Sequence, residues 1–95
     1  MKKSFEIEGK VWIWPGGSFA WYFIHIDKGI SSGIRAKFPK SPMVPVEVKV
    51  GRTVWKTTLF RNKKDENYIL PIKKDVRKKE SIMDKDELKF KIKIL

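Results

Sequence analysis

The sequence predicts a mainly β protein: a small barrel of about six short strands and two short helices, in the order β-β-α-β-β-β-α-β. Three observations support this fold class. Apolar and polar residues alternate in several short runs, turn-forming residues separate the runs, and only two segments show helical spacing. The chain has 95 residues, enough for one domain with a modest core. We therefore treat residues 1–95 as a single domain, and a barrel is its natural closure.

The first two strands are predicted at residues 5–14 and 19–26. In the first, apolar residues alternate with charged residues and tryptophan, and Gly9 interrupts the apolar row. A glycine in this position indicates a bulge or a close backbone approach. Residues 15–18 (PGGS) predict the turn. The second strand is apolar on both faces, which indicates a covered position.

The turn also determines which aromatic residues share a face. A four-residue loop would pair Trp14 with Phe19 and Trp12 with Trp21, and Phe23 follows on the same side. Exposed aromatic rings can stack on bases or sugars or contact a protein partner, so Trp12, Trp14, Trp21 and Phe23 form a candidate ligand or partner face. Burial preferences favour the alternative that these rings pack under a helix or a second sheet.

A short helix and a loop are predicted next. Asp27 is a candidate N-cap, and Ile30, Ile34 and Phe38 recur every four residues along one side of the segment that follows. Residues 37–45 contain three prolines and predict a loop.

The clearest β-hairpin spans residues 44–60. Valines alternate along its first arm, and Gly51-Arg52 fits a two-residue type II′ loop with glycine first. This loop specifies a register that also places opposite charges across from each other. The expected pairs are Val48 with Trp55, Val46 with Thr57, Val44 with Leu59, and Glu47 with Lys56.

The last third of the chain predicts a charged connection at 61–67, a brief strand at 68–72, a helix at 73–81 and a half-buried strand at 88–95 with lysines outward. The helix carries a basic arc of about 140° at 100° per residue. Its members are Lys73, Lys74, Arg77 and Lys78.

The charge balance indicates affinity for polyanions. Twenty-two basic and eleven acidic side chains give a net charge of +11 and a pI near 10.0, which favours nucleic acid as a partner. The candidate nucleic-acid-binding residues are Arg52, Lys56, Lys73, Lys74, Arg77 and Lys78. The alternative is a solvated lysine-rich surface without a ligand.

Several function classes lack support in the sequence. The chain has no cysteine, which excludes disulfides, thiolate zinc sites and cysteine nucleophiles. His25 lies within a predicted strand without a nucleophile elbow, residues 15–17 lack a phosphate-loop pattern, and the acidic residues at 84–87 lack calcium-loop spacing. We expect no catalytic residue, metal or cofactor. Without a signal peptide or a long apolar run, we expect a cytoplasmic protein with no membrane contact.

Four stretches resemble a known family, DUF1905, a Domain of Unknown Function. They are GGSFAWYFIHID at 16–27, VPVEVKVGRTVWKTTLF at 44–60, YILPIKKDVRKKESI at 68–82 and DELKFKIKI at 86–94. They cover most of the chain in the family's order, and the third is the most specific. Members usually carry Gly-Asp before the last strand, whereas this chain has Lys85-Asp86. A lysine at position 85 must either keep its backbone out of the left-handed region of φ and ψ or accept conformational strain.

The resemblance implies a double-split β-barrel, an architecture also used by small swapped-hairpin transcription factors and antitoxins that bind DNA as dimers. It implies no activity, cofactor or catalytic residue. Members are sometimes fused to a YdeI/OmpD-associated domain, which we do not expect in these residues. A shared fold is weak evidence for a shared function. We expect a non-enzymatic binding or accessory module, monomeric or homodimeric. Its alternatives are a nucleic-acid-binding protein using the basic face and a small-ligand or protein-interaction module using the aromatic face.

Overall fold

The computed structural model describes residues 4–16, 19–64 and 66–95. The strands are β1 (Ser4–Gly16), β2 (Phe19–His25), β3 (Met43–Val50), β4 (Thr53–Arg61), β5 (Tyr68–Pro71) and β6 (Glu87–Ile94). The helices are α1 (Lys28–Lys37), between β2 and β3, and α2 (Lys74–Glu80), between β5 and β6. This order confirms the predicted fold class.

The strands close into an antiparallel barrel in the order β1-β2-β5-β4-β3-β6. Strand β1 closes the barrel because it has two partners along its length. Residues 4–10 pair with β6, and residues 11–16 pair with β2. In this closed order, β2 and β5 form the wall opposite β3 and β6. Within the described residues, no helix has the length and apolar character needed to span a membrane.

The β3–β4 hairpin has the register that its valine alternation predicts. Val48 lies opposite Trp55, and Glu47 lies opposite Lys56. The four valines of β3 are buried, with exposed fractions between 0% and 4%. Gly51 has a φ of +56°, and Arg52 is not among the described residues with positive φ. Positive φ at the first loop residue alone is the pattern of a type II′ turn, so the turn type is also confirmed.

Both helices pack against the barrel core. The Asp27 carboxylate accepts a hydrogen bond of 2.7 Å from the backbone N–H of Ile30, which confirms the predicted N-cap of α1. Ile34 of α1 and Val76 of α2 are buried. At the end of α2, the Glu80 carboxylate accepts a hydrogen bond of 2.6 Å from the Thr53 hydroxyl.

The expected register between β1 and β2 is wrong by two residues. Trp14 pairs with Trp21 rather than Phe19, and Trp12 pairs with Phe23 rather than Trp21. The reason is that β1 continues through Pro15 and Gly16, so the turn that joins β1 to β2 is shorter than the predicted four residues. The rest of that turn, residues 17 and 18, lies outside the described residues. A shift of two preserves the strand faces.

Two local predictions are resolved by the path of β1. At Gly9, an added Cβ would overlap the Cγ2 methyl of Ile24, so the glycine marks a close approach between β1 and β2.

Before β6, Lys85 adopts a φ of +70°, in the left-handed region. Its backbone N–H donates to the Val11 carbonyl (2.9 Å), and the Val11 N–H donates to the Asp86 carbonyl (2.8 Å). These bonds hold the turn against β1, so Lys85 adopts the left-handed backbone conformation despite its strain.

Candidate functional site

A groove opens on the barrel wall where β4 and β5 separate. The two strands pair only at Phe60–Ile69 and Arg61–Tyr68 among the described residues. Beyond Pro71 the chain turns into α2, held to β2 by a 2.8 Å hydrogen bond from the Ile72 N–H to the Tyr22 carbonyl. The groove has a volume of about 420 Å³. Its lining residues are Trp21, Tyr22, Thr57, Pro71, Ile72, Lys73, Lys74 and Arg77.

Arg77 places a positive charge at this groove by stacking on Tyr22. Its guanidinium carbon lies 3.7 Å from the centre of the Tyr22 ring, a close cation–π arrangement. The sequence places Arg77 on a solvated arc, but the stack makes it half-buried. The buried Nε has no hydrogen-bond partner among the described residues. Among the described residues, no carboxylate is seen in an ion pair with Arg77; Glu66 pairs with Arg35, 3.6 Å away.

The aromatic residues lie on the barrel exterior, so the expectation that a helix or second sheet buries them is wrong. Trp14 is 65% exposed, Trp21 is 60% exposed and Trp12 is 43% exposed. Phe23 is half-buried. The expected cover is missing because both helices pack against the core rather than over this outer face. The prediction that β2 is covered on both faces therefore also fails.

A second groove lies on the other side of the Trp14–Trp21 pair. Its volume is about 430 Å³, and its lining residues are Trp12, Ile13, Trp14, Phe23 and His25. The Lys10 Nζ lies 5.2 Å from the centre of the Trp12 ring, so a cation borders this groove. Because Trp14 lines the second groove and its cross-strand partner Trp21 lines the first, the two grooves are neighbours.

The structure brings together only part of the candidate basic set. Lys73, Lys74 and Arg77 line the first groove with Trp21. The other three cations do not line it. Arg52 lies in the β3–β4 turn, Lys56 lies opposite Glu47 on β4, and Lys78 is exposed on α2.

A comparison with protein families identifies the chain. Residues 8–92 match the family model described as Domain of unknown function (DUF1905), which is nearly the whole sequence. The chain belongs to the DUF1905 family. The resemblance carried by the four sequence stretches is thereby confirmed, and both grooves lie within the matched residues. The chain has no significant match among curated proteins.

Two side chains of types used in catalysis, His25 and Ser31, have structural contacts in this DUF1905 domain. The His25 ring is exposed and meets Phe23 edge-on, with 5.2 Å between ring centres. The buried Ser31 hydroxyl donates to the Ile26 carbonyl at 3.1 Å and accepts from the Tyr68 N–H at 2.9 Å, so it ties α1 to β5. No group of three or more His, Asp or Glu side chains among the described residues is placed to hold a metal ion.

Sequence reasoning missed several members of the candidate site, among them Tyr22, Thr57 and Lys10. Tyr22 and Thr57 line the first groove, and Lys10 borders the second. Tyr22 and Thr57 follow the inward alternation of their strands, which gives no signal of a surface role. The stack of Tyr22 on Arg77 joins residues far apart in the chain, so no local spacing could have revealed it.

Proposed function

We propose that this DUF1905 protein is a non-enzymatic nucleic-acid-binding module. The observation that supports the proposal is that exposed Trp21 lines the same groove as Lys73, Lys74 and Arg77. Lysine and arginine neutralise phosphates, and an exposed indole stacks on a base. The proposal places the protein in the cytoplasm, where nucleic acid is the abundant polyanion.

The charge distribution supports this ligand class. The chain carries a net charge of +11, which raises the local concentration of any polyanion near its surface. Three of its cations meet at one groove, and no described carboxylate lines that groove. The groove therefore presents positive charge beside an aromatic surface, which is the combination used by proteins that bind unpaired bases.

A small anionic ligand with a planar ring is the second candidate. The groove volume of about 420 Å³ lies within the range of small-molecule sites, which is roughly 300–1,000 Å³. Such a ligand could place its anionic group at the two lysines and its ring on Trp21. It would use the same residues, so only the size of the ligand separates the two candidates.

The test is fluorescence anisotropy with labelled single-stranded DNA, RNA and duplex DNA at two salt concentrations. The variant Lys73→Gln/Lys74→Gln should lower the log–log salt slope by about 1.4 for a single strand, since each phosphate contact contributes about 0.7. A matched control is Lys89→Gln/Lys91→Gln, which removes the same charge from exposed positions on β6, on the opposite wall. An equal effect of the two double variants would show that only net charge acts.

The aromatic half of the proposal is tested by Trp21→Ala. Its affinity for a single strand should fall by about 5- to 100-fold, the range expected for one lost base stack. If this substitution leaves the affinity for a single strand unchanged, Trp21 is not part of the binding site. Absence of binding to all three nucleic acids at physiological salt would reject the proposed function.

A further inference from the structure

The two grooves form one continuous surface across β1, β2 and β5. We infer that this surface takes a single-stranded nucleic-acid segment of at least two nucleotides, running from Lys73 and Lys74 to Lys10. The inference rests on the proposed function and adds the length, the strandedness and the path of the ligand. It assigns Trp12 and Lys10 to a second part of the site.

The strand register joins the two grooves at two points. Trp14 of the second groove is the cross-strand partner of Trp21 in the first. Phe23 of the second groove is the cross-strand partner of Pro71 in the first. Directly opposite residues have Cβ atoms about 4.5–5.5 Å apart. Because the paired residues at both points are aromatic or proline, an apolar track connects the two grooves.

The spacing of the aromatic residues suits unpaired bases. Trp12 and Trp14 are successive outward residues of β1, which places their Cα atoms about 6.8 Å apart at a rise of about 3.4 Å per residue. This distance is twice the roughly 3.4 Å spacing of stacked bases. The inference places one base between the side chains of Trp12 and Trp14 and another on exposed Trp21. Paired bases in a duplex do not offer these faces.

The cations at the two ends favour a polyanion over other occupants. Lys73 and Lys74 line the first groove, and the Lys10 ammonium lies 5.2 Å from the Trp12 ring beside the second. Phosphates at both ends and bases between them match this arrangement. A second copy of the chain would carry the same net charge of +11, and the repulsion between the two copies opposes self-association.

The experiment is a length series of labelled oligothymidylates of one, two, four and eight nucleotides, with a duplex of eight base pairs for comparison. We expect affinity to rise by about 5- to 100-fold for each base that gains a stack, and to level off after the apolar track is filled. The tetranucleotide should therefore bind much more tightly than the mononucleotide, and more tightly than the duplex.

Variants of the second groove separate this inference from the proposed function. Trp12→Ala should lower the affinity for the tetranucleotide by about 5- to 100-fold and leave the affinity for the mononucleotide unchanged. Lys10→Gln should lower the salt slope by about 0.7 for the tetranucleotide only. Phe60→Ala is the control, because Phe60 is 37% exposed on β4 and lines neither groove. Circular dichroism verifies that each variant is folded.

The outcomes are distinguishable. A mononucleotide that binds as tightly as the tetranucleotide would overturn the extended site and support the small-ligand candidate in the first groove. Duplex binding equal to or tighter than single-strand binding would also overturn it. Trp12→Ala without effect on the tetranucleotide would reject the path through the second groove. Failure of every oligonucleotide to bind would reject the proposed function together with this inference.

Discussion

Replacing Gly9 by alanine tests the close approach between β1 and β2. The new Cβ would overlap the Cγ2 methyl of Ile24. Ile24 is fully buried, and its backbone is fixed by pairing with Val11 in β1 and Leu70 in β5. Because Cγ2 is bonded directly to the Cβ of Ile24, the methyl can move away only if the strands separate or Ile24 changes its rotamer.

The magnitude follows from two opposing effects. Overpacking a core costs about 1–3 kcal/mol, and the lower entropy of alanine in the unfolded chain returns about 0.4–1 kcal/mol. We expect Gly9→Ala to lower the free energy of unfolding by about 1–2 kcal/mol. For a domain of this size, the Tm should fall by roughly 4–16 °C.

The matched control is Gly33→Ala, which is the same chemical change in a different environment. Gly33 lies inside α1, and an added Cβ there meets no atom within 4 Å. Alanine is favoured over glycine in a helix by about 0.5–1 kcal/mol, so this variant should be more stable than the wild type.

The assay is urea unfolding followed by circular dichroism, together with thermal unfolding. The two alanine variants should move the unfolding midpoint in opposite directions without a change in m-value. A Gly9→Ala protein as stable as the wild type would refute the packing argument. A destabilised Gly33→Ala protein would show that α1 is not a simple exposed helix at that position.

Three further substitutions test individual contacts. Lys85→Gly should stabilise the protein by about 0.5–1 kcal/mol in urea unfolding, because left-handed backbone at φ +70° is relaxed for glycine; a loss of stability would contradict the strain argument. Arg61→Ala should cost about 2–3 kcal/mol and speed amide exchange in residues 38–41, since the Arg61 guanidinium donates to three carbonyls there and to the Tyr68 hydroxyl; unchanged exchange would argue against this clamp. Ser31→Ala should cost about 1–3 kcal/mol by thermal unfolding, because the buried Tyr68 N–H loses its acceptor; a neutral result would mean that water replaces the hydroxyl.

Local sequence patterns predicted only part of the candidate site. Alternation identified Trp12, Trp14 and Trp21 as members of one face. Helical spacing predicted one arc for Lys73 and Lys74, but Lys73 is the extended N-cap before α2. Neither pattern specified whether the face was covered or whether the arc lay beside it. Those facts depend on how β5 and α2 pack next to β2, which involves residues distant in sequence.

The sequence by itself determined the order of the strands and helices, the β3–β4 register and the N-cap at Asp27. Each of these depends on interactions within a few residues or across one tight turn, where alternation, capping and turn geometry act directly. Only the tertiary structure decided the exposure of the tryptophans and the joining of Trp21 with Lys73 and Arg77 in one groove. These features arise from barrel closure, which brings β2 against β5, while the two described helices pack against the core rather than over the outer face of β1 and β2.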